Sequence, residues 1–223
     1  MFLQKKKSKI AGKTILVNAG PTHERIDPVR FIDNYSSGKM GIAIADEAES
    51  RGAKVILVLG PVDLKPEGRN YEIVNVISAH EMADAMTGNF DDADISVLAA
   101  AVADYRPESE SASKIKKSKS DLRLTLKPTV DIAAKLGSVK RKNQLLAGFA
   151  LETDNEKENA LKKLESKNLD LIVLNSLRDE GSGFKSDTNK ITLIDKNNNF
   201  EEFELKTKAE VAADILDKIE SML

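Results

Sequence analysis

The residues with most to offer chemistry fall in a few stretches. The first, GPTHERIDPVRFIDNYSSGKMG (20–41), ends where an amphipathic helix begins. Ser36, Ser37 and Gly38 stand at that helix start, where free backbone N–H groups and the helix dipole favour an anion such as phosphate. The alternative there is ordinary N-capping by a serine. Arg30 can grip a carboxylate or phosphate through two parallel hydrogen bonds, or pair with Asp27 or Asp33. Asn34 can donate and accept at once. The second stretch, AAAVADYRPESESASKIKKSKS (99–120), opens with small residues that let a planar group lie close to the backbone. Asp104 follows at the strand mouth, and a Ser- and Glu-rich loop leads to Lys114 in KIKK. Such a segment reads either as a lysine-bearing lid that excludes water from a reaction or as a solvated charged loop. Lys163 and Lys167 share one helix face at i, i+4, for solubility or for an anion. Phe149, in GFALET, can stack on a base or pack in the core. Asp187 and Asn189, in GSGFKSDTNK, suit backbone turns.

Composition narrows the chemistry. The 223 residues contain no cysteine, which removes disulfides, thiolate nucleophiles and cysteine-ligated zinc. The two histidines, His23 and His80, are too few for a multi-histidine metal centre. Thirty-four basic against 36 acidic residues give a net charge of −2, against a general nucleic-acid binder but compatible with a local basic pocket. MFLQKKKSKIAGK lacks the apolar core of a signal peptide, and no run approaches the ~20 apolar residues of a membrane span. The expectation is a cytoplasmic protein with no nucleic-acid or membrane partner. The GxGxxG spacing of a dinucleotide fold and the GKS/T ending of a P-loop are both missing.

These residues need a frame to converge. TILVNA (14–19), VILVLG (55–60), EIVNVIS (72–78) and ISVLAAAVA (95–103) read as buried strands, with others near 122–127, 144–150 and 169–175. Helices are expected at 38–51, 79–87, 129–137, 154–167 and 207–222, and KITLIDK and FEEFELK form a hairpin through NNN (197–199). This alternation predicts a single α/β domain over 1–223: a Rossmann-like, mostly parallel sheet with helices on both faces and an added antiparallel hairpin. Ligands bind such sheets beyond the carboxyl ends of the strands. Roughly fifteen residues separate the first strand from its helix, where about 2–6 are usual, so that loop is expected to face substrate.

GPTHERIDPVRFIDNYSSGKMG, AAAVADYRP, KIKK, GFALET, KNLDLIVLN and GFKSDTN, in that order, resemble bacterial phosphopantothenoylcysteine synthetase from about Lys13 to Leu223. The resemblance implies ligation of L-cysteine to 4′-phosphopantothenate through an acyl-cytidylate, with CTP as cosubstrate and Mg²⁺ held mainly by its phosphates, in coenzyme A biosynthesis. It implies a homodimer, with the hairpin a candidate interface, and fusion or association with a flavin-dependent decarboxylase. It makes Asn34, Lys114 and Arg30 catalytic, and gives the acid substrate to Arg30, Asn34 and Ala101. It gives the nucleotide to Ser36, Ser37, Gly38, Leu98, Ala99, Ala100, Asp104, Lys114, Phe149, Lys163 and Lys167. The turn at Val130, Asp131, Ile132 and Ala133 joins that set, although relatives commonly carry NPDI where this chain has TVDI, a less fixed turn. Two other readings are a nicotinamide-dependent oxidoreductase and a non-catalytic nucleotide-binding protein.

Overall fold

The computed structural model describes residues 8–64, 66, 69–152, 154–176 and 186–223. Eight strands form one sheet: β1 (Thr14–Ala19), β2 (Lys54–Leu59), β3 (Glu72–Asn75), β4 (Ile95–Leu98), β5 (Leu145–Glu152), β6 (Leu171–Ser176), β7 (Ile191–Asp195) and β8 (Phe200–Glu202). Their spatial order is β8-β7-β6-β5-β4-β1-β2-β3. The first six run parallel, and β7 and β8 add the expected antiparallel hairpin. The parallel part thus has the 3-2-1-4-5-6 order of doubly wound sheets, which reverses direction between β1 and β4.

Among the described residues five helices cover it: α1 (Lys39–Ser50), α2 (Ala79–Phe90), α3 (Ile132–Val139), α4 (Glu156–Ser166) and α5 (Lys208–Met222). Strand alternation divides the apolar residues between two faces. Ile15 and Val17 join α1 and α5 through Ile42, Ile44, Val211 and Ile215. Leu16 turns the other way, to α2, α3 and α4 through Met82, Phe90, Leu136 and Leu164. No described helix is long and apolar enough to cross a membrane.

Two sequence expectations fail here. The strand over 95–103 stops at Leu98, because the Asn18 side chain takes the Ala100 N–H at 2.9 Å. The strand near 122–127 is instead Leu126–Pro128, paired with Tyr105–Pro107 as a separate antiparallel ribbon outside the main sheet. Its alternating leucines are exposed, so periodicity there reflects a protruding arm and not a buried strand.

Candidate active site

At the direction reversal, two loops leave β1 and β4 side by side. The Ala101 N–H donates to Gly20 O at 2.9 Å, and Pro21 and Ala101 form an isolated parallel bridge. The Ala103 N–H then donates to the buried Thr22 hydroxyl at 3.0 Å. Asn34 returns across this seam and donates from Nδ2 to the carbonyls of Ala101 and Val102 at 3.1 and 3.2 Å. Main chain of both loops therefore continues the sheet as a platform.

The long first loop is a folded excursion. Glu24–Arg25 pairs with Phe31–Ile32, and the His23 ring stacks on Phe31 at 3.8 Å. The chain then re-enters the fold beside the end of β1, where α1 begins. A Cβ on Gly41 would stand 2.5 Å from Ala19 Cβ, so helix and strand meet at a distance only glycine permits. The N-cap is Gly38, left-handed at φ 74°, with no side-chain cap. Ser36 accepts the Gly38 N–H at 3.4 Å, so the sequence expectation of serine capping at this helix gives way to a glycine turn.

Beyond β4 and β5 lies a cavity of about 270 Å³. Leu98, Ala100, Ala101 and Asp104 enter it from the end of β4, Phe149 from β5, and Lys163 and Lys167 from the end of α4. Val130, Asp131, Ile132 and Ala133 line it from the start of α3. The turn is fixed without a proline: the Thr129 N–H donates to Asp104 O at 2.9 Å, and its hydroxyl to Ala103 O at 2.6 Å. Asp131 caps α3 by accepting the Ala134 N–H at 3.0 Å, and its Oδ2 lies 3.0 Å from Lys167 Nζ. Burial pushes the Asp131 carboxyl up, but those N–H and ammonium partners outweigh it and hold it below the usual range. Asn168, left-handed at φ 50°, donates from its side chain to Gly137 O at 2.8 Å, which locks the end of α4 to α3. Phe149 also packs against the α1 and α5 core, the commoner fate of such a ring.

The remaining predicted residues take other places. Ala99 is not among the residues lining this cavity and packs toward α1 and α5. Ser36, Ser37, Gly38, Arg30 and Asn34 stand on the first loop, and the exposed Lys114 on the 108–125 arm, also outside its lining. Arg30 pairs with Asp27: Nε donates to Oδ2 at 3.0 Å, and Nη2 reaches the same oxygen. Asp27 is the residue that sequence reasoning used only as a partner; the Asp-Pro-Val-Arg spacing was its signal. Asn18 and Thr129 carried none. Asp187 pairs with Lys39, and Asn189 is buried. The GSGFK part of that loop and Thr153 of GFALET lie outside the described residues. Among the described residues, no cluster of three His, Cys, Asp or Glu gathers to hold a metal.

Known proteins share this frame. A bifunctional coenzyme A biosynthesis protein CoaBC of Bacillus subtilis is 42% identical over 99% of this chain and 54% of its own length. A protein of an unknown prokaryotic organism named cysteine/cysteine sulfinic acid decarboxylase is 57% identical over 98% of this chain and 62% of its own. The chain thus spans little more than half the length of these curated relatives. A crystal structure of the C-terminal domain of CoaBC superposes with a TM-score of 0.81 at 43% identity, covering 96% of each chain. A family model described as the DNA/pantothenate metabolism flavoprotein C-terminal domain matches residues 10–223, and the chain belongs to that family.

Proposed function

We propose that this chain joins L-cysteine to 4′-phosphopantothenate at the expense of CTP, as the synthetase portion of a coenzyme A biosynthesis enzyme. The observation that carries the reading is the convergence of Asp104, Asp131, Phe149, Lys163 and Lys167, distant in sequence, on one cavity beyond β4 and β5. Its cations suit phosphates and its small-residue floor suits a planar base. The acid's carboxylate attacks the α-phosphorus and pyrophosphate leaves. Cysteine's amine then attacks the acyl carbon, CMP leaves and the amine loses a proton. Both nucleophiles belong to substrates, so the protein's part is positioning and charge stabilisation. Lys163 and Lys167 are assigned to phosphates. Asn34 spends its Nδ2 on the platform, and Oδ1, which accepts from no described residue, faces the acyl group and incoming amine. Mg²⁺ bound through CTP would neutralise charge on the phosphates.

The strand order alone suits a dinucleotide enzyme, but fold does not fix function. The cavity sits over β4, β5 and α3, not at the start of α1 where a dinucleotide's pyrophosphate would lie. One relative is named a decarboxylase; by the family resemblance, decarboxylation is assigned to a fused or associated flavin-dependent partner and not to this chain. A homodimer and a cytoplasmic site of action complete the proposal. The test is to incubate the protein with phosphopantothenate, CTP and Mg²⁺, with and without cysteine, and follow pyrophosphate. Cysteine-dependent turnover is expected; absence of pyrophosphate under every condition would sink the ligase and leave a nucleotide-binding protein.

A further inference from the structure

The 108–125 arm is tied down at a few points. At its base, Tyr105–Pro107 pairs with Leu126–Pro128, and Glu108 meets Lys127 at 2.8 Å. Further out, the Ser111 N–H donates to Ile26 O at 3.0 Å. The outermost tie is at Ile115. Its N–H donates to Asp27 Oδ2 at 3.1 Å, and its carbonyl accepts from Arg30 Nη2 at 2.8 Å. One side-chain pair thus satisfies both main-chain groups of one residue, as a neighbouring strand would. The pair is itself preorganised. Asp27 is 1% exposed, and its other oxygen accepts the N–H groups of Val29 and Arg30, each at 2.9 Å. Arg30, and then these backbone donors, hold its carboxyl far below the usual range against the effect of burial, so the latch stays charged at neutral pH. Lys114 is the residue next to the tie.

We propose that Asp27 is a positioning residue that, with Arg30, latches the arm at Ile115 within its own chain and so sets where Lys114 stands during the ligation. This rests on the ligase reading for its consequence, though not for the latch. It also gives Arg30 a role in holding the arm where the family resemblance assigned it to substrate.

Three variants test it. Asp27→Asn keeps the shape and removes the charge; Ile115→Pro removes the N–H, fixes φ and restricts Lys114 before it, and leaves the ion pair; Ile115→Ala keeps the N–H and shortens the side chain. Each is first checked for a native circular-dichroism spectrum, then digested with trypsin without substrates. Cleavage after Lys116, Lys117 and Lys119 should quicken at least fivefold in Asp27→Asn and Ile115→Pro and stay near wild type in Ile115→Ala. In the reaction, the first two should keep the KM for CTP within about twofold and lower kcat for amide formation at least tenfold. They should also release more pyrophosphate per amide as the acyl-cytidylate leaks to water. Unchanged cleavage in folded Ile115→Pro overturns the latch, whatever happens to Asp27→Asn. Faster cleavage with unchanged kcat and coupling overturns the positioning of Lys114. A wild-type protein inactive toward cysteine would defeat the functional reading alone, since the protease result does not depend on it.

Discussion

Asp131 separates two contributions that one carboxylate makes together. It caps α3 and also meets Lys167 at the cavity wall. Asn caps a helix about as well as Asp, whereas Ala at an N-cap costs ~1 kcal/mol. The half-exposed ion pair with Lys167 is worth only about 0–1 kcal/mol. Denaturant unfolding should therefore find Asp131→Ala less stable by ~1 kcal/mol or slightly more, with Asp131→Asn close to wild type. Its folded carboxyl lies below the ordinary value of about 3.9, so its contribution is complete above that pH and is lost as pH falls through the lower folded value. Asp131→Asn should flatten that part of the acid side of the melting curve. The same variant leaves Lys167 without its carboxylate and should tighten binding of a nucleoside triphosphate more than that of a nucleoside, read by calorimetry. Thr129→Val removes a hydroxyl bond to Ala103 O, worth roughly 0.5–1.5 kcal/mol, and should loosen the turn that leads into α3.

At the scale of elements, Gly137 sets how closely α3 and the end of α4 approach. A Cβ on Gly137 would stand 1.9 Å from the Lys167 carbonyl oxygen, a contact with backbone that cannot swing aside. Gly137→Ala should force α3 from the end of α4, costing ~1–3 kcal/mol as overpacking does. It should weaken nucleotide binding although residue 137 lines no part of the cavity; paired melting and calorimetry would show both. The elements themselves were legible because most strands are buried on both faces and so read as unbroken apolar runs, such as TILVNA and VILVLG. Capping was less so. Two serines before a helix predict a side-chain cap, yet a left-handed Gly38 takes that place, because the conformation depends on how the excursion returns to the sheet. The end of β4 was hidden for a similar reason: only the neighbouring β1 brings Asn18 to the Ala100 N–H. Candidate cavity residues emerged from motif order more than from local chemistry, since Lys163 and Lys167 alone look like any exposed helical lysines.

The whole molecule depends on its last helix. Val211, Ile215, Leu216 and Ile219 are fully buried against the face that α1 shares. Burying each contributes about 1.5–3 kcal/mol, so the four together rival the ~5–15 kcal/mol stability of a typical domain. Removal of residues 207–223 should leave a chain without a cooperative melting transition, and Ile215→Ala alone should cost ~2–5 kcal/mol. The same helix gathers the described start of the chain: Glu220 accepts from the Ser8 hydroxyl at 2.6 Å and from the Lys9 N–H at 3.2 Å, and Arg51 reaches both Glu220 and Asp217. The platform of the site belongs to this scale too, for it is made where the sheet reverses direction, largely of main-chain atoms from Gly20, Pro21, Ala101 and Val102. Such a surface keeps its shape while the side chains around it change. Drift at the rim, along 104–133, should retune which ligand is accepted without rebuilding the ground beneath, so specificity and foldability are expected to be separable in this molecule. A library randomised only on that rim should stay mostly folded while its ligand preferences scatter, and one randomised at 18–22 and 99–103 should lose both together.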